Sequence, residues 1–214
     1  MRERIEVIVT DDHKSYREGL VSILKEENIF VIAQAENGIE LLYLLEIDNL
    51  RPNVILLDLE MDKMDGNITL QKVKEQFPEL KVIILSSYGE GALQNDFISK
   101  GASSFLRKNM GVKMIADTIK RTHYLVDYSN IPQKVKSLFT EKEVQIIPLL
   151  LAGKTSKQIA DLLGIAEKTV EQYRNRLYEK TGANNGFEFS SYCTKEGLGY
   201  LGPKIHNDRI EKQK

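Results

Sequence analysis

Cysteine is nearly missing from this sequence and tryptophan wholly so: Cys193 stands alone among 214 residues. One cysteine cannot close an internal disulfide, and such usage suits a reducing, cytoplasmic setting. Long apolar runs are missing too. No stretch approaches the ~18 uninterrupted apolar residues of a membrane-spanning helix. The opening Met1-Arg2-Glu3-Arg4 runs straight into a strand-like segment, without the apolar stretch and small-residue cleavage site of a secretory signal. Repeats and low-complexity tracts are lacking as well. These absences point to a cytoplasmic chain that does not engage the membrane.

Hydrophobic residues make up 42% and charged residues 29%, the composition of a globular chain with room for one large or two ordinary domains. The net charge of -1 conceals an asymmetry, with residues 1–130 at -5 and residues 131–214 at +4. Scatter between two soluble domains accounts for this as well as a division of labour does. If labour is divided, the basic part is the candidate for polyanion binding.

Residues 1–124 alternate strand-length apolar runs with amphipathic stretches. The runs are Ile5–Thr10, Ile29–Ala35, Val54–Leu59, Val82–Ser86 and Ser104–Arg107. Between them, Leu20, Ile23 and Leu24 share a helical face, as do Ile39, Leu42 and Leu45, then Ile68 with Val73, and Ile115 with Ile119. Five strands alternating with five helices imply a parallel sheet covered on both faces. The pattern lapses near Ser129, Asn130 and Pro132. The expected division is a first domain over 1–125, a linker over 126–137, a four-helix domain over 138–200 and a polar tail over 201–214.

Acidic residues fall at the carboxyl ends of these runs. Asp11 and Asp12 follow the first, Asp58 closes the third, Ser86 closes the fourth and Lys108 follows the fifth. Open α/β sheets bind ligands outside those ends, where the strand order reverses. With the order 2-1-3-4-5, Asp11, Asp12 and Asp58 converge on one crevice. Converging carboxylates need a cation, and all-oxygen ligands suit Mg²⁺. A carboxylate can also act as nucleophile and become an aspartyl-phosphate, for which positioning and charge stabilisation are the main requirements. Lys108 and the Ser86 hydroxyl can engage phosphoryl oxygens. Singly, each acid is a helix cap or a loop residue; their matched placement carries the inference. His13 reads as a rim residue or helix start sooner than as a catalytic or metal-binding histidine.

At these residues the chain resembles the response-regulator receiver domain. The resemblance runs through Val9-Thr10-Asp11-Asp12-His13, Leu57-Asp58-Leu59-Glu60-Met61-Asp62-Lys63-Met64-Asp65-Gly66, Ile84-Leu85-Ser86-Ser87 and Gly101-Ala102-Ser103-Ser104-Phe105-Leu106-Arg107-Lys108. It implies that Asp58 is phosphorylated by a sensor histidine kinase. It implies that Asp12 binds Mg²⁺ directly and Asp11 through water, with the Glu60 backbone carbonyl as a further ligand. Ser86 matches the switch hydroxyl and Phe105 the switch aromatic, while Lys108 matches the site lysine. The sequence departs from the common pattern at Asp62 and Asn109, where proline is frequent. Glu60, beside the expected phosphoryl site, is placed to tune dephosphorylation.

Residues 139–200 are helical in pattern. Thr140-Glu141-Lys142-Glu143 and Thr155-Ser156-Lys157-Gln158 both match a capping box. Pro148 falls inside the first helix and is expected to kink it. A short helix, the turn Gly164-Ile165-Ala166 and a longer helix from Glu167 to Thr181 give helix-turn-helix spacing. Val170 and Leu177 face inward. Glu171, Gln172, Arg174, Asn175 and Tyr178 lie largely on other faces, where Gln and Asn can read adenine and Arg guanine. Lys154, Lys157, Lys168, Arg176 and Lys180 are candidates for phosphate. A plain helical packing module with a solvated face fits the same pattern. Cys193, among Phe189, Tyr192 and Leu198, is expected to be packed rather than reactive.

This half resembles the LuxR-type helix-turn-helix domain, through Phe139-Thr140-Glu141-Lys142-Glu143-Val144, residues 151–160, residues 163–170 and Lys180-Thr181-Gly182-Ala183. A receiver followed by such a domain is the layout of the NarL/FixJ family. The resemblance implies DNA contacts at Glu171, Gln172 and Asn175, with Lys168 and Thr169 near phosphate. Glu171 stands where Lys is common, and Ala166 where Ser usually caps the helix. The function implied is a non-enzymatic regulator whose phosphorylation controls binding to double-stranded DNA, with a homodimer formed on phosphorylation. The alternatives are a receiver read by protein partners, with DNA binding weak or lost, and an aspartate-based phosphatase. Glu60 argues against the phosphatase, because such enzymes carry a second Asp two residues after the nucleophile.

Overall fold

Every apolar run forms a strand in the computed structural model, which describes residues 4–88, 91–124, 126 and 131–201, the Tyr200 side chain excepted. The strands are β1 (Ile5–Thr10), β2 (Ile29–Ala35), β3 (Val54–Asp58), β4 (Lys81–Ser86) and β5 (Ser104–Arg107). All pair in parallel, in the order β2-β1-β3-β4-β5. The helices between and after them are α1 (Lys14–Glu26), α2 (Gly38–Glu46), α3 (Gly66–Gln76), α4 (Gly91–Ser99) and α5 (Val112–Tyr124).

Strand periodicity divides the core cleanly. Ile8, Ile55, Leu57 and Ile84 point to one face, where they meet Leu41 and Leu45 of α2, Leu70 and Val73 of α3 and Phe97 of α4. Val7, Val9, Leu56, Ile83 and Leu85 point to the other, against Leu20 and Leu24 of α1 and Ile115 and Ile119 of α5. Each such buried side chain contributes about 1.5–3 kcal/mol. The central strands are buried on both faces, which is why they read as continuous apolar runs.

Three helical faces differ from their expected composition. Leu41, Leu42 and Leu45 are the inward face of α2, while Ile39 is 53% exposed. On α3 the inward residues are Leu70 and Val73, and Ile68 is largely exposed. On α1 Leu20 and Leu24 are buried and Ile23 is not. In each case an apolar residue lies beside the buried stripe, and hydrophobicity alone does not say which of two neighbours faces the sheet.

The chain divides into two compact units, residues 1–123 and 124–214. The second contains α6 (Gln133–Leu138), α7 (Glu141–Leu151), α8 (Ser156–Leu163), α9 (Glu167–Thr181) and α10 (Gly186–Lys195), then a 3-10 turn at Leu198–Leu201. Its core gathers Phe139, Val144, Ile147, Ile159, Val170, Leu177, Phe189 and Cys193. Part of the segment expected as a linker is therefore structured: α6 begins within it and ends one residue beyond. Val135 is buried in the second core, and Lys134 pairs with Glu196. One buried apolar residue per short helix is too weak a periodic signal to mark a helix in a polar, basic stretch. Helix α7 continues through Pro148 as one element, and both capping boxes form, at Thr140 with Glu143 and at Thr155 with Gln158. The polar tail after Leu201 lies outside the described residues.

Candidate functional site

The reversal of strand order lies between β1 and β3, and Thr10 is level with Leu57 across that pair. The next residues in each strand direction, Asp11 and Asp58, are both fully buried. Lys108 enters from the end of β5, where its amide donates to the Ser86 carbonyl at 2.8 Å. Its ammonium then stands 2.8 Å from Asp58 Oδ2 and 2.7 Å from Asp11 Oδ2. Four of the expected residues are thus in one crevice: Asp11, Asp12, Asp58 and Lys108. Ser86 is buried at the end of the adjacent strand β4, and its hydroxyl accepts from the Tyr88 amide at 3.1 Å. Phe105 is buried in the sheet core with its ring centroid 6.1 Å from that of Phe97. Glu60 is exposed on the loop leaving β3.

Burial pushes the Asp58 carboxyl above the ordinary carboxylate range. The Lys108 hydrogen bond opposes this and the Asp11 charge adds to it. For Lys108, burial pulls down, but hydrogen bonds to Asp11 and Asp58 outweigh it and hold the ammonium above its usual value. One cation therefore faces two buried carboxylates, and Asp12 is close by. One oxygen of Asp58 is buried without a well-formed hydrogen bond, and the buried Oδ1 of Asp12 faces His13 Nδ1 at 2.6 Å. Ligand atoms of Asp11, Asp12, His13 and Asp58 all lie within 4.8 Å of one another. Under-satisfied buried oxygens in such a cluster suit a hard divalent cation.

The loop from Leu59 to Asp65 is fixed by a close approach. The Gly66 amide donates to the Leu59 carbonyl, and a Cβ on Gly66 would fall 2.2 Å from the Asp58 carbonyl oxygen. Only glycine lets α3 begin against the strand end that carries Asp58. Asp65 caps α3 by accepting from the Ile68 amide.

Two residues of the site went unnoticed in the sequence. Tyr16 lies under the Lys108 ammonium, 5.1 Å from nitrogen to ring centroid. Burial, then the Asp11 and Asp58 charges, push its phenol up to about 12. Arg17 is buried, donating to the Asp11 carbonyl and to Glu36 Oε1. Arg17 had a legible signal: with Leu20 and Leu24 it falls on the buried stripe of α1, where an unpaired charge is not tolerated. Tyr16 had none, since its role depends on where β5 ends.

In the second unit, Gly164 terminates α8 in the left-handed conformation (φ 66°) and α9 follows after two residues. Val170 and Leu177 are fully buried, which turns Lys168, Glu171, Gln172, Asn175 and Arg176 outward. Thr169 is half-buried in the first turn. Ala166 occupies the N-cap without any side-chain cap. Lys180 is engaged: its ammonium lies 2.7 Å from Glu143 Oε2, which is buried at the start of α7. Burial raises the Glu143 carboxyl, but hydrogen bonds from Lys180 and Thr140 outweigh it and hold the group low. Cys193 is buried, and burial pushes its thiol up to about 11, so it is packed and unreactive.

Comparison with known proteins matches residues 7–120 to the response regulator receiver domain and residues 137–192 to the bacterial regulatory proteins of the luxR family. Curated relatives match about nine-tenths of the chain, across both units. The transcriptional regulatory protein YdfI of Bacillus subtilis is 31% identical over 208 residues, covering 90% of this chain and 96% of its own. The response regulator protein VraR of Staphylococcus aureus is 30% identical over 207 residues, covering 91% and 98%. Among solved structures, the Salmonella typhimurium RcsB response regulator aligns with a TM-score of 0.53 at 22% identity, over 91% of this chain and 100% of that one. At that identity the likeness shows the fold.

Proposed function

The chain belongs to the two-component response regulators, a receiver joined to a LuxR-type DNA-binding domain, and on that premise we propose that Asp58 is the phosphoacceptor through which DNA binding is controlled. A regulator of this kind is not an enzyme in the usual sense. The observation that carries the proposal is the crevice at the β1–β3 reversal, where Lys108 bridges Asp11 and Asp58 and one Asp58 oxygen is left without a hydrogen bond.

In this reading a Asp58 carboxylate oxygen attacks the phosphorus of a phosphohistidine on the sensor kinase. The O–P bond forms as the N–P bond breaks, and the imidazole leaves. Lys108 moves from pairing two carboxylates to pairing Asp11 and a phosphoryl oxygen. The Ser86 hydroxyl, now accepting from Tyr88, turns to donate to a second phosphoryl oxygen. Phe105, packed on Phe97, reports that rearrangement to the sheet edge. The donor set fits Mg²⁺, which Asp12 would hold directly and Asp11 through water, with Asp58 and the Glu60 backbone carbonyl as further ligands. When bound, it neutralises charge on the transferring group. Glu60, exposed beside the site, tunes the lifetime of the phosphorylated state.

Helix α9 then enters the major groove. Gln172 and Asn175 read base edges, Glu171 accepts from a cytosine amine, and Lys168, Thr169 and Arg176 meet phosphate. Lys180, tied to Glu143, serves the packing of α7 on α9 unless that pair opens. Dimerisation on phosphorylation supplies the second half-site. A cytoplasmic location fits this function, and among the described residues no helix is long and apolar enough to cross a membrane. A second reading, a receiver serving protein partners, draws on the exposed Glu171 and the uncapped Ala166.

The decisive experiment treats wild-type and Asp58→Ala protein with a small phosphodonor and Mg²⁺, then selects DNA with each. The expected result is stable phosphate incorporation and tighter, site-specific binding in the wild type alone. Phosphorylation of the Asp58→Ala protein would refute the acceptor assignment. Phosphorylation of the wild type without any selected DNA would establish the second reading.

A further inference from the structure

His13 does none of the work a residue in its place usually does. It is the N-cap of α1, yet its side chain makes no capping hydrogen bond. It is not a core residue either, its side chain being 67% exposed. Instead its Nδ1 lies 2.6 Å from Asp12 Oδ1 and 3.4 Å from Asp11 Oδ1. Its backbone amide donates to Asp11 Oδ1 at 2.9 Å, which holds the Cα at the crevice. A buried Asp58 oxygen without a hydrogen-bond partner belongs to the same cluster, whose ligand atoms lie within 4.8 Å of one another. Tetrahedral donors around one ion at ~2.1 Å stand ~3.4 Å apart, so the cluster has to close by somewhat more than ~1 Å on binding.

From this juxtaposition we propose that His13 is a metal ligand, and that the acidic crevice takes Zn²⁺ or Co²⁺ through one imidazole nitrogen and the carboxylates of Asp12 and Asp58, in competition with Mg²⁺. The inference rests on the receiver reading of the crevice. Mg²⁺ takes oxygen and water in octahedral geometry and gains nothing from an imidazole. The later first-row ions bind imidazole well and accept mixed nitrogen–oxygen sets with low coordination number. With Zn²⁺ in place, Asp58 is held as a ligand and a Mg²⁺ position is lost. A chain with this histidine is therefore a receiver whose phosphorylation is suppressed by a late divalent metal.

The test is calorimetric titration of the full chain with Co²⁺ and with Mg²⁺, for wild type and for His13→Phe, which keeps an aromatic ring without nitrogen. His13→Asn provides a second variant lacking imidazole. Co²⁺ affinity should fall by roughly tenfold or more in both, at least what loss of an outer-sphere partner costs, while Mg²⁺ affinity changes by less than about twofold. The visible absorption of bound Co²⁺ should shift between wild type and variants, a signature a purely structural histidine does not produce. An unchanged Co²⁺ affinity and spectrum in the variants overturns the proposal, and so does an equal loss for both ions. If wild type fails to bind Mg²⁺ but loses Co²⁺ binding on substitution, the receiver reading of the crevice fails and the histidine ligand stands.

Discussion

Asp58 is a carboxyl group that burial shifts toward its protonated form and that the proposed phosphotransfer requires ionised. Burial and Asp11 hold its folded-state value above the ordinary range. Between the ordinary carboxylate range and that raised value, the native state keeps more of this proton than the unfolded chain does. Stability from this group falls as pH rises from the ordinary carboxylate range through that raised value. Asp58→Asn removes the liability. Its melting temperature at neutral pH should exceed the wild type's by a few degrees, on the order of 1 kcal/mol, and calorimetry should show the gain shrinking on acidification. Added Mg²⁺ should raise the wild-type melting temperature more than the variant's. A gain that persists unchanged at acid pH would assign it to something other than ionisation. Tyr16 and Arg17 extend the same logic: one supports the Lys108 ammonium, and the other grips the chain at Asp11.

At the scale of elements, the second unit sets well-capped helices beside one that is not. Helices α7 and α8 have complete capping boxes, whereas α9 starts at Ala166 with its first amides unsatisfied by a side chain. Ala166→Ser should raise stability by about 1 kcal/mol in urea unfolding. No change would mean that the serine fails to reach the amides of α9. The pairing of α7 with α9 through Glu143 and Lys180 supplies a second measurement. The Glu143 carboxyl is depressed, so its contribution is present above the unfolded value and is lost as pH falls through the lower folded one. Lys180→Met should cost ~1–2 kcal/mol, reduced from the value of a fully buried pair because Lys180 is partly solvated. That loss should vanish in acid; a pH-independent loss would implicate packing alone.

At the scale of the whole molecule, an acidic unit is joined to a basic one, with net charges of -5 over residues 1–130 and +4 over 131–214. In the proposed reading, attraction to DNA comes from a few cations on α9 and its neighbourhood, working against the Glu171 carboxylate. Specific binding should fall steeply with salt, and Lys168→Ala should lower the magnitude of the salt slope by about 1. Glu171→Gln should strengthen non-specific binding while relaxing preference at one base position. Titrations at several salt concentrations separate these effects. A salt slope unchanged by Lys168→Ala would remove that lysine from the phosphate contacts.

The first unit was legible because a doubly covered parallel sheet writes itself as apolar runs of strand length, and its ligand site must lie where those runs end. Asp11, Asp58 and Lys108 could be placed from their positions after the runs, since strand order carries them to the crevice, with Ser86 at the adjacent strand end. The limits of β1, β2 and β5 were readable for the same reason, and so were both capping boxes, whose signals are local. Tertiary structure alone decided the rest. Tyr16 acquires its role from a lysine 92 residues away. Lys180, which the pattern offered to DNA, is drawn to Glu143 across the helical core. Helix α6 is held by Val135 reaching that core. His13, read as a rim residue or helix start, has its ring turned toward two aspartates. Hydrophobic periodicity and capping are written along the chain; which charges meet is set by the folding that brings distant chain ends of strands and helices together.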